Sequence, residues 1–158
     1  MKKALLLAVV LISIAKGLAS QIYVYPNERL FFQEMSFNIE NGTLCEGYMN
    51  SWTDAILTIE DGKIYEGHSS SVFDLLYTFR DGKLYLQDSN FSADVLYTYK
   101  NGKIYRGDSN YLLDLIYSFD QNRVFEGNSM STFDQLLVIE GRPRPEELFA
   151  ILLAADLL

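Results

Sequence analysis

The sequence predicts an all-β protein: an antiparallel meander of five 20-residue hairpin repeats followed by a C-terminal apolar helix. Three observations carry this. Asp61-Gly62-Lys63-Ile64-Tyr65-Glu66-Gly67 returns as Asp81-Gly82-Lys83-Leu84-Tyr85 and as Asn101-Gly102-Lys103-Ile104-Tyr105-Arg106-Gly107, twenty residues apart each time. Looser copies run from Asn41 to Gly47 and from Gln121 to Gly127. A strict internal period of this kind sets the architecture before any single residue does. Second, most copies open on Asn-Gly or Asp-Gly, the strongest short hairpin signal, because both turn residues need positive φ. Third, the flanking runs alternate and are rich in Leu, Tyr, Thr and Phe, which suit a pleated surface.

Taken in order, Ile22-Tyr23-Val24-Tyr25 reads as a short strand stopped by Pro26. Residues 30–40 form a half repeat, whose end Phe37-Asn38-Ile39-Glu40 matches Leu57-Thr58-Ile59-Glu60. Repeats then fill 41–140. A two-residue turn at Asp81-Gly82 sets Arg80 opposite Lys83, Phe79 opposite Leu84, Thr78 opposite Tyr85 and Tyr77 opposite Leu86. The hairpins are joined by Ser70–Phe73, Asn90–Ala93 and Asn110–Leu113. Pairing Ser69 with Asp74 across such a four-residue loop keeps the faces in register. The result is about ten or eleven short strands. One face carries Ile64, Leu75, Tyr77 and Phe79 and is the expected core; the other carries Tyr65, Leu76 and Thr78. Strands of this length fall short of the roughly nine to eleven residues of an outer-membrane barrel. The pattern leaves open whether the sheet stays flat, curls or closes.

Residues 145–157 are the predicted helix. Arg142-Pro143-Arg144-Pro145 breaks the last strand, Pro145 suits a first helical turn, and Glu146 and Glu147 favour the positive end of the dipole. Leu148 to Leu153 is apolar on every side, so the helix should be buried against the sheet.

At the other end, Met1-Lys2-Lys3, an apolar run to Ala15 and then Gly17-Leu18-Ala19 have the form of a secretory signal peptide, residues 1–19. The rest, 20–158, makes a single β-repeat domain in an exported, periplasmic or extracellular, protein. The formal charge is -8; cleavage after Ala19 removes three lysines and no acid and takes it to -11. That balance excludes nucleic acid as a partner, whose phosphates need basic patches. Cys45 is the single cysteine, so no intrachain disulfide forms, and at a position held elsewhere by Tyr65, Tyr85, Tyr105 and Phe125 it reads as a buried hydrophobe.

Candidate functional residues recur with the period. Asp54, Asp74, Asp94, Asp114 and Asp134 stand at one position of every unit. They read as structural turn aspartates that accept bonds from loop amides and hydroxyls. The other reading is a calcium ladder, for which one carboxylate per unit is thin, and the sequence leaves open whether the row binds calcium. His68 is the lone histidine, and its counterparts Tyr48, Asp88, Asp108 and Asn128 mark it as a surface variant. No phosphate loop and no metal-ligand spacing occurs, and no cofactor is expected. The aromatic rows are the candidate binding residues: Tyr65, Tyr85 and Tyr105 on one strand, Tyr77, Tyr97 and Tyr117 on the other. Such ladders stabilise a sheet, and exposed ones stack on sugars or anchor partners.

Tyr97-Thr98-Tyr99-Lys100-Asn101-Gly102-Lys103-Ile104-Tyr105-Arg106-Gly107 resembles the hairpin of a MORN repeat, in which a glycine turn precedes a Tyr-x-Gly strand. The resemblance implies hairpin architecture and a role as scaffold or as contact with membranes and partners. The period here is shorter, and the second glycine cluster of that family is absent. The function expected from the sequence is therefore non-catalytic binding or scaffolding through the sheet surface, with a protein or glycan as partner. Two alternatives stand beside it. One is a hydrolase using carboxylates such as Asp74 and Glu66, against which the even spacing of the carboxylates argues. The other is a surface-associated protein whose C-terminal helix makes the membrane contact.

Overall fold

The computed structural model describes residues 21–26, 35–48 and 51–158. The signal-peptide segment 1–19 and residues 30–34 of the half repeat lie outside the described residues. The strands are β1 (Ile22–Pro26), β2 (Phe37–Glu40), β3 (Thr43–Glu46), β4 (Ala55–Glu60), β5 (Lys63–Glu66), β6 (Leu75–Arg80), β7 (Lys83–Leu86), β8 (Val95–Lys100), β9 (Lys103–Arg106), β10 (Leu115–Asp120), β11 (Arg123–Glu126) and β12 (Gln135–Glu140). One helix follows, α1 (Pro145–Ala154).

The meander closes into a barrel. Strand β1 pairs antiparallel with β12, Tyr23 opposite Glu140 and Val24 opposite Ile139, and on its other side with β2. Closure removes every unpaired edge, which an open sheet would leave to aggregation. The strand pair that completes the circle is drawn from both ends of the chain, so a count of five units does not describe the whole circle.

The tight turns adopt the geometry that their sequence demands. Asp81 and Gly82 have φ of 51° and 76°, and the register beyond them runs Arg80–Lys83, Phe79–Leu84, Thr78–Tyr85 and Tyr77–Leu86. The glycine carbonyl is not idle: Gly82 accepts a 2.7 Å bond from the Tyr99 amide on the next hairpin. Each turn thus stitches its own unit to the following one.

The joins between hairpins differ from the sequence expectation. Ile64 lies opposite Tyr77, as parity requires, but Tyr65 lies opposite Leu75, with a bulge between. The same shift recurs at Leu84/Tyr85, at Leu44/Cys45 and at Val124/Phe125. A bulge puts two residues against one and rotates the chain. Leu75 therefore joins Tyr65 on one face, and Leu76 packs against the interior cluster. Strict alternation without a bulge places each on the opposite face.

Ile22, Ile39, Leu44, Ile64, Leu84, Ile104, Val124 and Ile139 come from strands all round the barrel and pack with Leu148, Phe149, Ile151 and Leu152 of α1. The helix consequently fills the barrel interior. Its residues Leu148 to Leu152 are exposed by 1% or less. The Phe149 ring lies 5.6 Å from that of Phe79 and 6.3 Å from that of Tyr97. The helix start is held by the Arg144 amide and guanidinium, which donate to the Glu147 carboxylate at 2.7 and 2.9 Å. It ends at Ala154, three residues before the expected 157, because Asp156 takes a left-handed turn with φ of 53°. No described helix is long and apolar enough to cross a membrane.

The outer face carries a second buried belt: Tyr65, Leu75, Thr78, Val95, Thr98, Tyr105, Ser118 and Phe125 are buried yet stand outside the interior cluster. Thr58, Thr98 and Ser118 donate to the carbonyls of Gly67, Gly107 and Gly127 at 2.6–2.7 Å, tying the loops to this face.

Candidate functional site

Tight turns occupy one end of the barrel, so the joining loops β3–β4, β5–β6, β7–β8, β9–β10 and β11–β12 all leave the other end. Each finishes in a 3-10 turn: Trp52–Asp54, Val72–Asp74, Ser92–Asp94, Leu112–Asp114 and Thr132–Asp134. The sequence builds four of them alike. Ser69 Oγ donates to Asp74 at 2.6 Å and accepts from the Ser71 amide at 3.0 Å. Ser89 with Asp94, Ser109 with Asp114 and Ser129 with Asp134 repeat the clasp. Each aspartate thus bonds the serine five residues before it in its own loop. In the first loop Asp54 is met instead by the Thr53 hydroxyl, at 3.5 Å. Among the described residues no group of three His, Cys, Asp or Glu is placed to hold a metal ion.

What these clasps hold out is apolar. Phe73 and Phe133 are 94% exposed and Leu113 is 99% exposed; Tyr48, Val72, Phe91, Tyr111, Leu112 and Met130 are exposed as well. Each of the five loops presents at least one large apolar side chain to solvent. The loop sequences 47–54, 67–74, 87–94, 107–114 and 127–134 contain aspartates and no Lys or Arg. The repeat pattern of the sequence does not mark this ring. Phe73, Phe91 and Leu113 fall in the joins, where alternation gives no inside or outside. Their signal is large apolar residues set among Ser, Asn and Asp.

In the loops after β5 and β9 the polar residues lie along the outer face against the preceding unit. Residues 108–110 line a groove of about 460 Å³ with Asp81, Lys83, Thr98 and Lys100. Its counterpart forty residues earlier, with His68, Ser69 and Ser70 against Thr43 and Thr58, holds about 310 Å³. Ion pairs span the units, Lys63 with Asp88 at 3.4 Å and Lys83 with Asp108 at 2.7 Å. The Asp108 bond holds the Lys83 ammonium above its ordinary range.

The predicted aromatic rows are not the exposed ones. Tyr65 and Tyr105 are 8% exposed on the outer belt, and Tyr85 is half-buried with the Arg80 guanidinium 4.9 Å above its ring. Tyr77, Tyr97 and Tyr117 pack against the interior cluster. The Tyr117 hydroxyl donates to the Leu157 carbonyl at 2.7 Å, and burial raises its phenol above the usual range. Asp74 is taken up in its clasp, while Glu66 stands exposed at the last position of β5. Cys45 is buried, its thiol pushed up by burial and by Asp54 and Glu40, so it is a poor nucleophile.

A model of the 6-fold beta flower protein family matches residues 20–152. It shares with the MORN resemblance the repeated antiparallel hairpin, but it is a different family. No curated protein matches the chain, and no solved structure does.

Proposed function

The chain belongs to the 6-fold beta flower family, and from that premise we propose that it is an exported, non-catalytic protein that docks through the apolar ring on its loops. The observation that carries this is the near-complete exposure of Phe73, Leu113 and Phe133 on a barrel whose core is complete without them. Exposed apolar side chains gathered at one end mark an interaction surface. We read residues 41–140 as five copies of one unit, so that repetition multiplies a weak contact. Export rests on the basic, apolar and small-residue pattern of 1–19. Burial of α1 counts against a helix anchor, since Leu148 to Leu152 have no free face. The Ser69–Asp74 clasp counts against Asp74 as a hydrolytic acid or base.

The test is fractionation of cells that produce the full chain. The chain is expected with the envelope, and Phe73→Ser, Leu113→Ser and Phe133→Ser together should move it to the soluble exported fraction with its melting temperature unchanged. A triple variant that fractionates like the parent overturns the reading.

A further inference from the structure

We infer that the outer face of the β8–β9 hairpin binds a sugar acid of the uronate class, its carboxylate held by Lys100 and Lys103. This goes beyond the docking reading and stands on different residues. The repeat shows what these lysines lack. Lys63 pairs with Asp88 at 3.4 Å and Lys83 with Asp108 at 2.7 Å, each with the residue 25 positions on. The same step from Lys103 reaches Asn128, which carries no charge. Lys100 stands directly opposite Lys103 in the ladder, and like charges so placed cost stability. The other turns avoid this or satisfy it. Glu60 faces Lys63 and Asp120 faces Arg123. Arg80 does face Lys83, but it donates to the Ser89 carbonyl at 2.8 Å. Among the described residues the Lys100 and Lys103 ammonium groups make no hydrogen bond or ion pair. A ligand carboxylate there completes the pair that the repeat elsewhere makes within the chain.

The space beside the lysines selects the rest of the ligand. Lys100, Asn101, Lys103, Tyr105 and Asn110 line a groove of about 380 Å³. Lys100 and Asn110 also border the groove of about 460 Å³ described above. Both volumes lie in the range of roughly 300–1,000 Å³ found for small-molecule sites. The larger groove adds the carboxylates of Asp81 and Asp108 and the hydroxyl of Ser109. Those groups accept from hydroxyls and repel a second anion. Tyr111, 73% exposed, lines the same groove and offers an aromatic face to a sugar ring. One carboxylate on a body of hydroxyls fits this lining, whereas a bare anion uses only the lysine end.

The test is an NMR titration of the isotope-labelled protein with glucuronate, with glucose and inorganic phosphate as comparisons. Glucuronate should shift the amide signals of residues 100–103 and 109–111 to saturation. Glucose and phosphate should each bind at least about tenfold more weakly, since each lacks part of the contacts. Lys103→Gln should weaken glucuronate binding about tenfold. Asn128→Asp should weaken it as much with the fold retained, because the new carboxylate engages Lys103 as Asp108 engages Lys83. Signals that do not move to saturation overturn the inference. So does phosphate or glucose binding as well as glucuronate, and so does an Asn128→Asp or Lys103→Gln variant that binds like the parent.

Discussion

At the scale of single residues, the repeat supplies its own controls. Thr98 and Thr78 occupy the same outer position, buried opposite Tyr105 and Tyr85. The Thr98 hydroxyl donates to Gly107 at 2.7 Å, whereas that of Thr78 is buried with no hydrogen-bond partner, in the unit where Gln87 replaces the glycine. Thr98→Val should therefore cost about 1 kcal/mol, and Thr78→Val should be neutral or stabilising, because a buried unmet hydroxyl is removed. Urea unfolding of both variants checks this. The glycines pair in the same way. Gly102 and Gly107 have φ of +74° and +66°, but a Cβ on Gly102 would lie 2.6 Å from the Phe119 carbonyl oxygen, while on Gly107 it meets nothing within 4 Å. Gly107→Ala is expected to cost the left-handed strain alone, about 1–2 kcal/mol, and Gly102→Ala distinctly more. Equal losses in the two melts would show that the turn-to-strand approach is not tight. The turn residues were legible in the sequence because Asp-Gly and Asn-Gly state their dihedrals. The places of Leu75 and Leu76 were not, since they depend on a backbone bulge that no side-chain pattern announces. The exposure of Phe73 was equally hidden, because in a loop an apolar residue has no partner in the pattern to say which way it faces.

At the scale of elements, α1 is the largest single contribution to the interior. Its all-round apolar run was legible as burial, while its place inside a ring of strands depended on closure. Phe149 is fully buried between Phe79 and Tyr97. Phe149→Ala should cost about 3–5 kcal/mol, a large share of a typical net stability of about 5–15 kcal/mol. A chain ended at Glu140 should aggregate or melt early, because the barrel would enclose an unfilled apolar space. Intact melting of either protein would mean that the sheet stands without the helix. The end of the helix segment is held by Tyr117, and this gives a pH signature. Burial places its folded-state pKa above the unfolded value, with Glu126 adding to the rise. The stability this represents is full below the unfolded phenol pKa of about 10 and is lost as pH rises through the folded one. Tyr117→Phe should cost about 1 kcal/mol at neutral pH, through the bond to Leu157. It should also remove that alkaline decline. Melting temperatures from neutral to alkaline pH decide it.

At the scale of the whole molecule, the barrel exists because the two ends of the chain meet at β1 and β12. The period of twenty residues made the meander legible, yet it could not show closure, since the pairing partner of β1 lies more than a hundred residues away and outside any repeat window. Closure also accounts for the place of one of the two predicted tyrosine rows. A curled sheet turns Tyr77, Tyr97 and Tyr117 towards the helix and leaves the loops as the exposed apolar part. The loop-bearing end is the docking surface we propose. Hydroxyl-radical footprinting of the protein, alone and on envelope membranes, tests it most directly, because it reads side-chain exposure residue by residue. On the membranes Phe73, Leu113, Met130 and Phe133 should lose reactivity, while the half-buried Tyr85 on the outer face should keep its own. Protection confined to the outer belt or to the tight-turn end, with the loop residues as reactive as in the free protein, would contradict it.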